Sequence, residues 1–195
     1  DRVARATSQA AAAGATREAP PERTRAYLDA IRGMIYGDDP EQGFVNGRTF
    51  SHPTLRVAFE APEGFTLTNT PAAVQIAGEN ARAQFGGAAL PQGGVEAHAS
   101  AVLRQVIGQA RAQAGQVQRT TTNGLETATA PARAQSQNGQ LLDVQVTAYR
   151  LGDRAYHFVA ITPQGGMGVL APMTGTFRQI SAQAADALRA RQISL

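Results

Sequence analysis

Cysteine is absent from this chain of 195 residues, and so are tryptophan and lysine. Without Cys there is no disulfide, no thiol nucleophile and no thiolate-held zinc or iron–sulfur site. All 18 basic residues are arginine, which excludes Schiff-base lysine chemistry and a phosphate-loop lysine. Histidine is confined to His52, His98 and His157, and aromatic residues make up only 6%. No apolar stretch approaches the roughly 18 residues of a membrane-spanning helix. Charged residues are also few, at 17%, which argues against solvated disorder, while 43% apolar residues are enough for a core. The length suits one domain, or a small domain with an arm.

The net charge of +3 and the pI near 9.9 suggest a nucleic-acid partner at first sight. The distribution of charge points the other way. Arginines are scattered singly from Arg2 to Arg191, with no basic run interleaved with aromatics, so no nucleic-acid partner is expected. No signal peptide is visible. Asp1 reads as a processed or cut start, so that absence says nothing about the full gene product.

The chain divides into an arm, residues 1–36, and a domain, residues 37–195. DRVARATSQAAAAG reads as an alanine-rich helix stopped by Gly14, and ERTRAYLDAIRGMI as a second helix with Tyr27, Leu28, Ile31, Met34 and Ile35 on one face. After the loop YGDDPEQ the period changes. Asn46-Gly47 predicts a type I′ turn between short strands, and Leu55, Val57 and Phe59 alternate with polar positions as a half-buried strand does. Pro62-Glu63-Gly64 is a turn, followed by a strand at residues 65–68 and a hairpin of 73–77 with 82–85. Val95, Ala99, Val102, Leu103 and Val106 predict a helix that continues until Gly115, with His98 on its polar flank. Turn pairs at Asn123-Gly124, Asn138-Gly139 and Gly152-Asp153 punctuate further strands, of which LLDVQVTAYRL and RAYHFVAIT are the clearest. A helix is expected over residues 167–180, and Ser181 as the N-cap of a last one. Strands grouped in hairpins predict an α+β fold: one antiparallel sheet packed with helices.

Little in this pattern points to catalysis. The histidines lack the spacing of H-E-x-x-H, and each reads as a loop, helix-flank or strand residue rather than as a metal ligand. Asp38, Asp39 and Glu41 form the sole acidic cluster, readable as a calcium loop, as a general-acid group with His52, or as a plain turn. G-x-S-x-G, G-x-G-x-x-G and the phosphate loop are missing. A binding or positioning domain fits this inventory best. Its ligand pocket would lie between sheet and helix, lined by Phe59, Phe65, Phe85, Tyr149 and Phe158, unless those rings simply fill the core.

Tyr36-Gly37-Asp38, the run Gln42-Gly43-Phe44-Val45, His52-Pro53, Pro62-Glu63-Gly64-Phe65 and Thr176-Phe177-Arg178-Gln179-Ile180-Ser181 together carry a family resemblance. The chain resembles the region after the catalytic domain in bacterial periplasmic zinc metallopeptidases of family 48, the BepA-like branch. The order of elements is also similar to the PsbP-like α/β/α sandwich. The resemblance implies an accessory C-terminal region, with no catalytic, cofactor-binding or metal residue of its own. Zinc would belong to a protease domain preceding Asp1, and the place of action would be the bacterial periplasm or cell envelope. Partners would be the protease domain, own or adjacent, and proteins or peptides that it handles. A stand-alone periplasmic binding module for a peptide or small ligand is the alternative.

Overall fold

A computed structural model describes residues 43–70 and 73–193. The expected arm of residues 1–36 and the cluster Asp38, Asp39 and Glu41 lie outside the described residues.

The alternating segments form two antiparallel sheets where the sequence predicts one. The smaller holds four strands in the order β1 (Phe44–Asn46), β2 (Thr49–His52), β3 (Val57–Glu60) and β12 (Arg178–Gln179). The larger holds eight. Its order runs β4 (Thr66–Asn69), β5 (Val74–Ala77), β6 (Arg82–Ala89), β11 (Arg154–Pro163), β10 (Leu141–Leu151), β9 (Leu125–Gln135) and β7 (Ala112–Ala114). β8 (Gln118–Thr122) pairs with the other half of the same edge of β9. The division falls at the Pro62-Glu63-Gly64 turn, closed by the Phe65 amide donating to the Pro62 carbonyl at 3.2 Å. β3 begins at Val57 rather than Leu55, because Arg56 adopts φ +57 and breaks the extended run.

Turn chemistry sets the hairpin registers. Thr122 faces Leu125, so Asn123 and Gly124 are the two turn residues, at φ +50 and +78. That is the type I′ pattern. Asn46 instead pairs with Thr49, and of the turn residues Gly47 and Arg48 only Gly47 has a positive φ, so the predicted type I′ turn does not form there.

Strand pairing assigns each side chain to a face. Phe85 sits opposite Phe158, and Tyr149 opposite Tyr156, which puts all four rings on the face toward the small sheet. Phe50 and Phe59, a cross-strand pair of the small sheet, close onto them. Leu170, Met173 and Phe177 complete this core from a 3-10 turn (Met167–Leu170) and the segment after it. The helix expected over 167–180 is therefore interrupted. Only Ala171–Thr176, here α2, is α-helical before the chain extends into β12. Pairing of Arg178 and Gln179 with β3 and burial of Phe177 override the local helical pattern.

The opposite face of the large sheet is floored by small and β-branched residues: Ala128, Ala130, Ala132 and Ala134 of β9, Val144, Val146 and Ala148 of β10, and Val159 and Ile161 of β11 are all buried. Helix α1 (Gly94–Ile107) lies on β9 and β10 through Val95, Ala99, Val102, Leu103 and Val106, at the predicted spacing. It ends at Gly108 rather than Gly115, since residues 112–114 are recruited as β7. The last helix, α3 (Ala182–Ile193), opens with the Ser181 hydroxyl accepting the Ala184 amide at 3.1 Å, as the N-cap reading expects. No described helix is long and apolar enough to cross a membrane.

Candidate binding groove and a buried histidine pair

The aromatic residues predicted to line a pocket come together, but against one another. Ring centroids of Phe59 and Phe85 are 4.9 Å apart, of Phe59 and Phe158 4.8 Å, and of Tyr149 and Phe158 6.0 Å. They lie between the two sheets, on the face turned away from α1. Phe65 stands at the margin of this core, where a Cβ at Gly78 would come within 2.5 Å of its ring. The Tyr149 hydroxyl donates to the Thr174 carbonyl at 2.6 Å, and burial drives its ionisation well above the ordinary tyrosine range.

A groove of about 390 Å³ opens further along the same face. Its lining includes Gln113, Pro131, Arg133, Asp143, Gln145 and Met167. Arg133 and Asp143 are a cross-strand pair of β9 and β10 joined by an ion pair at 3.5 Å. Asp143 also accepts the Gly165 amide at 2.7 Å, which ties the loop before Met167 to the groove. The outer wall is β7. Gly115 donates to the Pro131 carbonyl at 2.8 Å and Gln135 to the Arg111 carbonyl at 2.9 Å. Antiparallel alternation then turns the backbone groups of Gln113 toward β9 and those of Ala112 and Ala114 away from it. Among the described residues no strand pairs with that outer side. Pro131 belongs to this edge for the same reason. Its missing N–H falls on the β7 side of β9, where the neighbouring strand gives way to β8, and leaves the β10 ladder intact.

His98 does not lie on a polar flank. It is buried beneath α1, where its Nε2 meets His157 Nδ1 at 2.9 Å. One nitrogen donates and the other accepts, so the accepting ring is neutral, and burial favours the neutral form of the donor as well. Burial lowers the pKa of each; His157, with the His98 ring beside it as well, is pushed down to about 3. His157 Nε2 and Gln84 Oε1 are both buried without a protein partner, and pairing puts these residues on the same face of adjacent strands. Sequence distance hid the pair, because 59 positions separate its members. His52 is a core residue of the small sheet, its Nδ1 accepting the Leu55 amide at 3.2 Å. No group of three or more His, Cys, Asp or Glu able to hold a metal occurs among the described residues.

No family model and no curated protein matches the sequence. Solved structures do. Cyanobacterial PsbP (CyanoP) from Synechocystis sp. PCC 6803 superposes with a TM-score of 0.53 at 11% identity, over 73% of this chain and 98% of that one. A protein from Bacteroides thetaiotaomicron aligns over 71% of this chain at 10% identity, with a TM-score of 0.49. The chain spans about half of that protein's length. The fold is α+β and PsbP-like.

Proposed function

We propose that this chain is a non-catalytic accessory domain that holds an extended protein segment, and that it does so for a zinc metallopeptidase of the bacterial periplasm or cell envelope. One observation carries the binding half of the proposal: the outer edge of β7, unpaired among the described residues, runs alongside the groove. An incoming strand would gain main-chain hydrogen bonds from Ala112 and Ala114, and its side chains would meet Gln113, Gln145 and the Arg133–Asp143 pair. The aromatic cluster supports the same reading, since its rings are spent on the core. The link to a metallopeptidase rests on the sequence resemblance alone, and zinc would belong to the protease domain. A stand-alone binding module would use the same groove without a protease beside it.

Peptides selected against the purified chain from a random library, with the contact mapped by NMR, test the binding half. Binding should shift the amides of Ala112 and Ala114. Ala114→Pro removes one outward N–H and should weaken the selected peptides at least tenfold, about the worth of one net hydrogen bond plus a steric block. Its melting temperature should stay close to that of the parent chain, since the lost donor faces solvent. Peptides that bind elsewhere, or bind the variant equally, would refute it. An H-E-x-x-H motif in the reading frame upstream of Asp1 separates the accessory domain from the stand-alone module.

A further inference from the structure

Helix α1 has the construction of a movable element. Left-handed glycines bracket it: Gly93 at φ +95 before it, Gly94 at φ +74 as its first residue, and Gly108 at φ +46 after it. Gly93 supplies no side-chain cap. The outer strand of the floor, β9, offers only Ala128, Ala130, Ala132 and Ala134, while Val144 and Val146 of β10 and Val159 and Ile161 of β11 supply the larger contacts. Within that interface the His98–His157 hydrogen bond is buried, whereas the Glu96–Arg119 ion pair between helix and sheet is exposed.

We propose that the His98–His157 pair is a proton-operated latch, which holds α1 on the large sheet while both imidazoles are neutral and releases it when acid protonates them. The N–H···N bond needs one acceptor nitrogen, which survives one proton on the donor ring and is removed when both rings are protonated. Protonation also places a charge in a buried site whose neighbour is a second imidazole. Other charged groups on this side do not compensate. Glu96 of α1, Arg119 of β8, Glu126 of β9 and Arg150 of β10 form their own exposed network, with Arg119 2.6 Å from Glu126 and 3.7 Å from Glu96. Arg104 of α1 and Arg82 of β6 add only positive charge.

The direction of the effect follows from burial. In the docked helix both pKa values lie below the ordinary histidine value of about 6.5. The pair's contribution to docking is therefore complete above about pH 6.5 and is lost as the pH falls toward the docked values. Each proton taken up only by the open form raises the opening constant about tenfold per pH unit, and two raise it about a hundredfold.

Amide hydrogen exchange followed by NMR from pH 7 to pH 5, a window above most carboxylate titration, reads this directly. After correction for intrinsic exchange, amides from Ala99 to Val106 should open at least tenfold more per pH unit below pH 6.5. Those of β10 and β11 should not. The variant His98→Gln/His157→Asn keeps neutral amides in both places and should flatten the profile. A flat profile in the parent chain, an unchanged slope in the variant, or an equal rise in β10 and β11 would overturn the latch. If the variant fails to fold, the Cε1–H resonances of the parent decide. Neutral rings down to pH 5 in the docked state support the proposal, and an imidazole titrating near 6.5 beneath a protected α1 overturns it.

Discussion

On one face of the large sheet, Phe85, Tyr149, Tyr156 and Phe158 interlock with Phe50, Phe59 and Phe177; on the other, α1 rests on alanines, the aliphatic residues Val144, Val146, Val159 and Ile161, and a histidine pair. The two surfaces share the strands β6, β9, β10 and β11 but use opposite means. Large rings fill the space between two sheets and contribute much area per residue. Alanines let a helix approach closely, yet each contributes little, and the valines and isoleucine of β10 and β11 with the helix side chains supply the rest. The aromatic face should therefore hold the fold together, and the helix face, with smaller side chains and a buried polar pair, should hold an element that can leave.

The largest effect is expected from Phe158→Ala, which empties the centre of the ring cluster. Denaturant titration should show a loss of about 3–5 kcal/mol, and a loss below about 1 kcal/mol would break the comparison. Ala130→Leu tests the other face by overpacking the floor beneath α1. It should cost about 1–3 kcal/mol, with amides of α1 losing exchange protection before those of β10. Equal loss in both would show that the two faces are not separable. Tyr149→Phe sharpens the aromatic side. The ring and its packing stay while the 2.6 Å bond to the Thr174 carbonyl goes, so about 1 kcal/mol should be lost, with α2 exchanging faster than β11.

Some of this was legible in the residues themselves. The strands LLDVQVTAYRL and RAYHFVAIT, their Gly152-Asp153 turn, the apolar stripe of α1 and the Ser181 cap all form where periodicity and capping place them. Four features were not. The segment 167–180 has helical spacing, but Phe177 is drawn into the core and β12 onto β3. β7 is three residues of alanine and glutamine with no strand signature of their own. It exists because β9 offers it a partner. His98 reads as polar and hence exposed, until a second histidine from β11 meets it. The groove likewise depends on where β7, β9, β10 and Met167 converge.

The sequence by itself determined which chemistry is excluded, where the chain turns, and where strand period gives way to helix period. Those properties depend on residue types and near neighbours. Tertiary structure decided how the strands divide between two sheets, which edge lies unpaired beside the groove among the described residues, and that His98 faces His157. Backbone pairing is nearly indifferent to side-chain identity, so partners distant in sequence are chosen only when whole faces are buried together.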